Sequence, residues 1–202
     1  MILFIEGPRH SGKTFLINKF LESCSNPNIE YYKFYFANHI KTLDLVGLDS
    51  DPSLHYFSLG NIMTIMEMNQ RPEYKDKIWI FDRAIVSAYT WAVLRKRLTP
   101  EKAETEFSKL LSTDLFANSK TLMVTVSGQT ADTDRSKDTW DGAHSTKEEQ
   151  SLMAKFFDLG QAELNNKEKN NQTSVMLNGF NEKSVESFIA ECYALLELKP
   201  NK

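Results

Sequence analysis

Eight consecutive residues, Gly7-Pro8-Arg9-His10-Ser11-Gly12-Lys13-Thr14, have the types and spacing of a site for phosphate. Glycine lets a backbone curl until successive N–H groups point inward at anionic oxygens. A lysine after the second glycine reaches the β- and γ-phosphates of a nucleotide, and the hydroxyl residue after it holds Mg²⁺. Gly7 to Thr14 are therefore the candidate ATP-binding residues, with Lys13 on the phosphates and Thr14 on the metal. A second group, Ile78-Trp79-Ile80-Phe81-Asp82-Arg83, ends an apolar run on an aspartate. A carboxylate at such a strand end suits the orientation of Mg²⁺ through its water shell. Asp82 is the second candidate metal residue.

These residues need particular elements around them. Ile2-Leu3-Phe4-Ile5 reads as a strand and Phe15 to Leu21 has helical apolar spacing, so strand, glycine loop and helix follow in the order of a P-loop. Ser25-Asn26-Pro27-Asn28 breaks the chain, and Ile29 to Phe36 reads as a second strand. Asp51 and Pro52 open a helix carrying Leu54, Phe57, Ile62, Ile65 and Met66. Lys77 to Asp82 forms a third strand, apolar enough to be covered on both faces. Helices are expected over Ile85–Arg97 and from Thr99-Pro100-Glu101, the second turning Phe107, Leu110 and Leu111 inward. Thr121 to Val126 is a fourth strand, and Ser127 to Ala143 reads as a polar loop. Ser145 and Glu148 form a capping box before a helix with Leu152, Phe156, Phe157 and Leu159. Ser174 to Leu177 gives a fifth strand and Val185 to Leu198 a closing helix. Alternating strands and helices imply a parallel sheet covered on both sides, with ligand beyond the C-terminal strand ends.

The 202 residues, 41% hydrophobic and 25% charged, suit one globular domain over 1–202. A net charge of −3 argues against a general attraction to nucleic acid. Cys24 and Cys192 suggest free thiols rather than a disulfide framework or zinc site. No apolar run approaches membrane-spanning length, and the first apolar residues lead into the glycine loop rather than forming a signal peptide. A cytoplasmic location is expected. His10, His39, His55 and His144 lack ligand spacing and are read as surface or capping residues. The aromatics Phe34, Tyr35, Phe36 and Trp91 are read chiefly as core, with base stacking as the rival. Arg9, inside the loop, has the geometry to bridge donor and acceptor phosphates, or faces solvent.

Ile5-Glu6-Gly7 with Ser11-Gly12-Lys13-Thr14-Phe15-Leu16 resembles the opening of the thymidylate kinase and deoxynucleoside kinase superfamily. Asp82-Arg83-Ala84-Ile85-Val86-Ser87-Ala88 is similar to the Asp-Arg-Tyr-x-x-Ser and Glu-Arg-Ser-x-x-Ser-Ala signatures of its two branches. The resemblance implies an α/β three-layer P-loop kinase fold. Its five-stranded parallel sheet has the order 2-3-1-4-5, with helices on both faces and a lid near 127–143. It also implies γ-phosphoryl transfer from ATP with Mg²⁺. By position, Arg83 falls on the arginine that contacts substrate phosphate or the transferring group, and Arg135 falls in the lid segment. Lys13, Asp82, Arg83 and Arg135 are thus the candidate catalytic set.

The chain departs from the family in places. Arg9 and His10 stand where thymidylate kinases carry an acidic residue often followed by arginine, and the lid segment has Arg135 and Lys137 among four aspartates. The first expectation is transfer to a (deoxy)nucleoside monophosphate, with Lys33 or Lys41 as added phosphate contacts. The alternatives are a kinase for a nucleoside or for a hydroxyl of a modified base or polynucleotide, and a nucleotide-binding protein or switch without transfer. Nucleic acid is a partner only in the polynucleotide reading. A homodimer stays open.

Overall fold

The computed structural model describes residues 1–8, 11–33, 52–116, 119–126, 147–165, 172–177 and 181–199. Strands β1 (Ile2–Glu6), β2 (Ile29–Lys33), β3 (Ile78–Asp82), β4 (Ser119–Val126) and β5 (Gln172–Leu177) alternate with helices. The helices are α1 (Lys13–Ser23), α2 (Pro52–Asn69), α3 (Ile85–Leu94), α4 (Pro100–Leu111), α5 (Lys147–Asn165) and α6 (Glu182–Leu195). All pairings are parallel, and the order is β2-β3-β1-β4-β5. The chain is an α/β fold with a parallel sheet between helices.

Side-chain parity along the strands explains how the sheet is covered. Ile2 and Phe4 of β1, with Phe81 of β3 and Met123 of β4, face a core built on α2, α3, α4 and α5. Leu3 and Ile5, with Ile78, Ile80, Leu122 and Val124, face the opposite core, which α1 and α6 cover. Alternate residues of one short strand are thus buried on opposite faces, so a parallel sheet reads as continuously apolar. Phe20 of α1 packs edge-on to Tyr193 of α6 with ring centroids 5.3 Å apart, and Tyr193 Oη donates to the Ser23 carbonyl at 3.0 Å. On the other face Tyr89, Phe107 and Phe156 join α3, α4 and α5 through ring contacts of 5.2–5.9 Å.

Several element ends differ from their sequence expectations. The helix expected over Ile85–Arg97 stops at Leu94. Lys96 turns into the left-handed region at φ 56°, and the Arg97 and Leu98 N–H groups both bond the Ala92 carbonyl, at 2.8 and 3.1 Å. The tight reversal leaves Thr99 to cap α4, its hydroxyl accepting from Lys102 N–H at 3.3 Å. Strand β4 begins at Ser119 rather than Thr121, because its ladder to β1 starts at the Ile2–Ser119 pair. Strand β5 begins at Gln172 rather than Ser174, opposite Thr121 of β4. Helix α6 begins at Glu182 rather than Val185, since Asn181 Oδ1 accepts from Ser184 N–H at 3.0 Å and so acts as N-cap. Strand β2 is described to Lys33; Phe34 to Phe36, and Ser145 of the expected capping box, lie outside the described residues. Cys24 and Cys192 are free thiols.

Candidate functional site

The loop from β1 to α1 depends on two glycines. Gly7 lies at φ 145°, and a Cβ built there would stand 2.2 Å from the Val124 carbonyl oxygen of β4. Gly12 sits in the left-handed region at φ 72° and leads directly into α1. Gly7 is therefore accessible only to glycine without displacement of the loop, and Gly12 adopts a conformation that costs glycine least. Lys13 is 5% exposed, and its Nζ donates to the Pro8 carbonyl at 2.7 Å and to Ser11 Oγ at 3.0 Å. Burial, and next the Arg83 guanidinium, push this ammonium well below the ordinary lysine range. The carboxylates of Asp82, Glu6 and Glu149 act in the other direction.

Sheet register carries the second half of the site to the first. Ile5 pairs with Asp82, and Lys33 pairs with Asp82 from the other side, so three strands end level beside the loop. Asp82 has the parity of Ile78 and Ile80 and so faces the α1 side of the sheet. There Thr14 Oγ1 donates to Asp82 Oδ2, and Tyr31 Oη donates to the same oxygen at 3.3 Å. The two residues that the sequence offers as metal donors are in direct contact.

Glu6 has the opposite parity, shared with Ile2 and Phe4, and faces the start of α3. Its carboxylate is completely buried. Oε1 accepts from the Ala84, Val86 and Ser87 N–H groups at 2.9, 3.0 and 3.3 Å, and Oε2 accepts from the Ser87 hydroxyl at 2.5 Å. Burial raises the Glu6 carboxyl above its ordinary pKa. The Ser87 hydroxyl and N–H, the Arg83 charge and the Ala84 N–H work against that rise. Arg83, between Asp82 and this cap, is half-buried and adopts φ 73°. A left-handed residue with a side chain costs about 1–2 kcal/mol, and Glu6 supplies the contacts that hold the turn. Arg83 Nη1 lies 3.4 Å from Ser87 Oγ.

The structure thus brings Gly7, Pro8, Ser11, Gly12, Lys13, Thr14, Asp82 and Arg83 to one end of the sheet. Arg9, His10, Arg135 and Lys41, and with them the segment 127–143, lie outside the described residues. Three site residues were missed from sequence. Tyr31 hides within an aromatic strand. Glu149, 1% exposed in the first turn of α5, stands next to the capping-box residue Glu148 with nothing in its spacing to mark it. Glu6 carried a signal, since it is an acidic residue ending an otherwise apolar strand. His55 is a correction: it is 1% exposed rather than a surface or capping residue, packed edge-on to Tyr89 at 4.6 Å between α2 and α3. Burial lowers its pKa to about 4. Trp91 is 9% exposed and packs in the core.

Among the described residues no cluster of three or more His, Cys, Asp or Glu has the geometry to hold a metal alone. No described helix is long and apolar enough to cross a membrane. No family model and no curated protein matches the sequence. Solved structures do. Thymidylate kinase from Ehrlichia chaffeensis matches with a TM-score of 0.55 at 16% identity, over 97% of this chain and 98% of that one. Deoxyadenosine kinase from M. mycoides with bound dATP matches with a TM-score of 0.55 at 14% identity, over 95% and 98%. The NadR protein in complex with NR matches with a TM-score of 0.60 at 15% identity, over all of this chain but 53% of that one. At these identities the likeness is one of fold, and the fold is that of the P-loop kinases.

Proposed function

We propose that this chain is an ATP- and Mg²⁺-dependent P-loop kinase that transfers a phosphoryl group to a (deoxy)nucleoside monophosphate. The observation that carries the reading is the contact of Thr14 with Asp82, which joins the glycine loop to the Asp-Arg turn. Hydroxyl and carboxylate oxygens side by side are the hard donors that Mg²⁺ prefers, and the small number of them suits a metal that keeps waters and takes phosphate oxygens as further ligands. Bound there, Mg²⁺ would neutralise charge on the transferring phosphates. The loop N–H groups bind phosphate oxygens, and Lys13 exchanges its Pro8 and Ser11 contacts for them. Arg83 meets charge on the acceptor side. Phosphoryl transfer asks little else of a protein than two groups held in line and positive charge at the oxygens.

A hydroxyl acceptor is the second reading, and one observation favours it. Glu6 already occupies the N–H groups at the start of α3, so that helix end offers less to an acceptor phosphate than a free helix N-terminus would. Release of ADP from ATP should be followed with dTMP, thymidine and 5′-hydroxyl DNA, using wild type and Asp82→Asn. Transfer to dTMP in wild type, reduced by about 10²-fold or more in Asp82→Asn with ATP still bound, is the expected result. Transfer to thymidine or DNA alone would select the second reading. ATP binding without transfer to any of them would leave a nucleotide-binding protein.

A further inference from the structure

Glu6 and Ser87 form a connection that the proposed chemistry has not used. Glu6 is the last residue of β1 and the neighbour of Gly7, so its backbone belongs to the donor loop. Its side chain belongs to the opposite half of the site, where it caps α3. The Ser87 hydroxyl, 0% exposed, donates to Glu6 Oε2. That direction leaves the lone pairs of Ser87 Oγ toward Arg83, whose Nη1 lies 3.4 Å away. Arg83 itself stands in a left-handed conformation that a side-chain-bearing residue keeps only when its surroundings fix it.

We propose that Glu6 and Ser87 are positioning residues: the carboxylate holds the turn at Ala84, and through the Ser87 hydroxyl it aims the Arg83 guanidinium at the phosphates. The role rests on the kinase reading above for its consequence, but not for its geometry. Ser87 ties Arg83 to a group rooted in the loop that carries Lys13, so the two cations keep a fixed separation. Glu6 also shields Arg83 from an alternative. An uncapped α3 would present N–H groups of its own to an anion, and acceptor phosphate would then compete for two places. With the cap occupied from inside, Arg83 is the donor that faces outward at that turn.

Ser87→Ala tests the connection while leaving the backbone cap in place. Glu6→Gln tests it from the other end, since one amide oxygen still accepts from α3 while the Ser87 hydroxyl loses its acceptor. Arginine positioning of this kind is expected to matter by on the order of 10–10²-fold in kcat. ATP affinity by calorimetry should stay within about twofold in Ser87→Ala, because the loop N–H groups, Lys13 and the Glu6 charge are unchanged. The Nε–H resonance of Arg83, followed by ¹⁵N-edited NMR without substrate, should shift or broaden in both variants. Wild-type turnover with an unchanged Arg83 resonance in Ser87→Ala would overturn the proposal. So would a loss of ATP affinity, turnover and melting temperature in step, which marks a cap that only supports the fold. If wild type transfers no phosphoryl group yet the resonance responds to Ser87→Ala, the positioning stands and the kinase reading fails.

Discussion

Lys13 shows most directly how one residue's surroundings set what it does. Buried and facing Arg83, its ammonium titrates well below the ordinary lysine range. Phosphate oxygens arriving beside it would favour the charged form and raise that pKa. A group whose pKa rises on binding takes up a proton, so ATP affinity should fall as pH rises from the lowered pKa of the free protein to the raised one of the complex. Calorimetry of MgATP binding in buffers of differing ionisation enthalpy should reveal net proton uptake, and Lys13→Met should abolish it. Equal uptake in Lys13→Met would assign the proton to another group. Lys13→Met should also weaken ATP binding by at least about tenfold, the loss of a charge-assisted contact.

Single elements impose stricter conditions than single contacts. The β1–α1 loop passes so close to β4 that a methyl group at Gly7 would overlap the Val124 carbonyl at 2.2 Å. Gly7→Ala should lower stability by about 2–4 kcal/mol in urea unfolding, through overlap and backbone strain together. A change below about 0.5 kcal/mol with ATP binding retained would mean that the loop has slack to move aside. The α2–α3 interface supplies a pH dependence. Facing His55 are Tyr56 and Tyr89 as ring partners, with Glu106 favouring its charged form and Arg97 and Lys102 opposing it. Burial dominates, and the pKa of about 4 lies below the ordinary 6.5. The unfolded chain therefore binds the proton first as pH falls. Stability from neutral His55 is complete above pH 6.5 and is lost down to about pH 4, by up to about 3 kcal/mol. His55→Phe keeps the ring packing, and its unfolding free energy should fall less steeply over that window than that of wild type. Parallel slopes in the two proteins would count against a neutral His55.

At the scale of the whole molecule, the level ends of β1, β2 and β3 are what make a site from separate stretches of chain. Ile5, Lys33 and Asp82 lie far apart in sequence and side by side in the sheet. Ligands that bind only the folded form stabilise it by about 2.7 kcal/mol at a hundred times their dissociation constant. For a chain of 202 residues that corresponds to about 5–10 °C in melting temperature. MgATP should give a shift of this size, and dTMP should give a second one that adds to it. A shift with thymidine and none with dTMP would move the acceptor to the hydroxyl reading.

The sequence determined the glycine loop, the strand-end aspartate and the alternating elements, because each of these is written in neighbouring residues. Gly7, Gly12, Lys13 and Thr14 announce a phosphate loop through conformational freedom and residue type alone. The apolar run of β3 announces burial on both faces. Element ends were less legible where the usual signal is missing: α3 ends at Leu94, and the left-handed residue of the turn after it is Lys96, with no glycine to mark the stop. The contact of Thr14 with Asp82 was an expectation of chemistry, but strand register decided it, since register brings residues 68 positions apart together. Glu6 and Asp82 were both visible as acidic strand ends. Only the side-chain parity of two paired strands sent Asp82 to the phosphate loop and Glu6 to the cap of α3. His55 was misread for the same reason. Whether a lone polar residue meets water or a neighbouring ring depends on which helices pack against its own, and that packing is long-range.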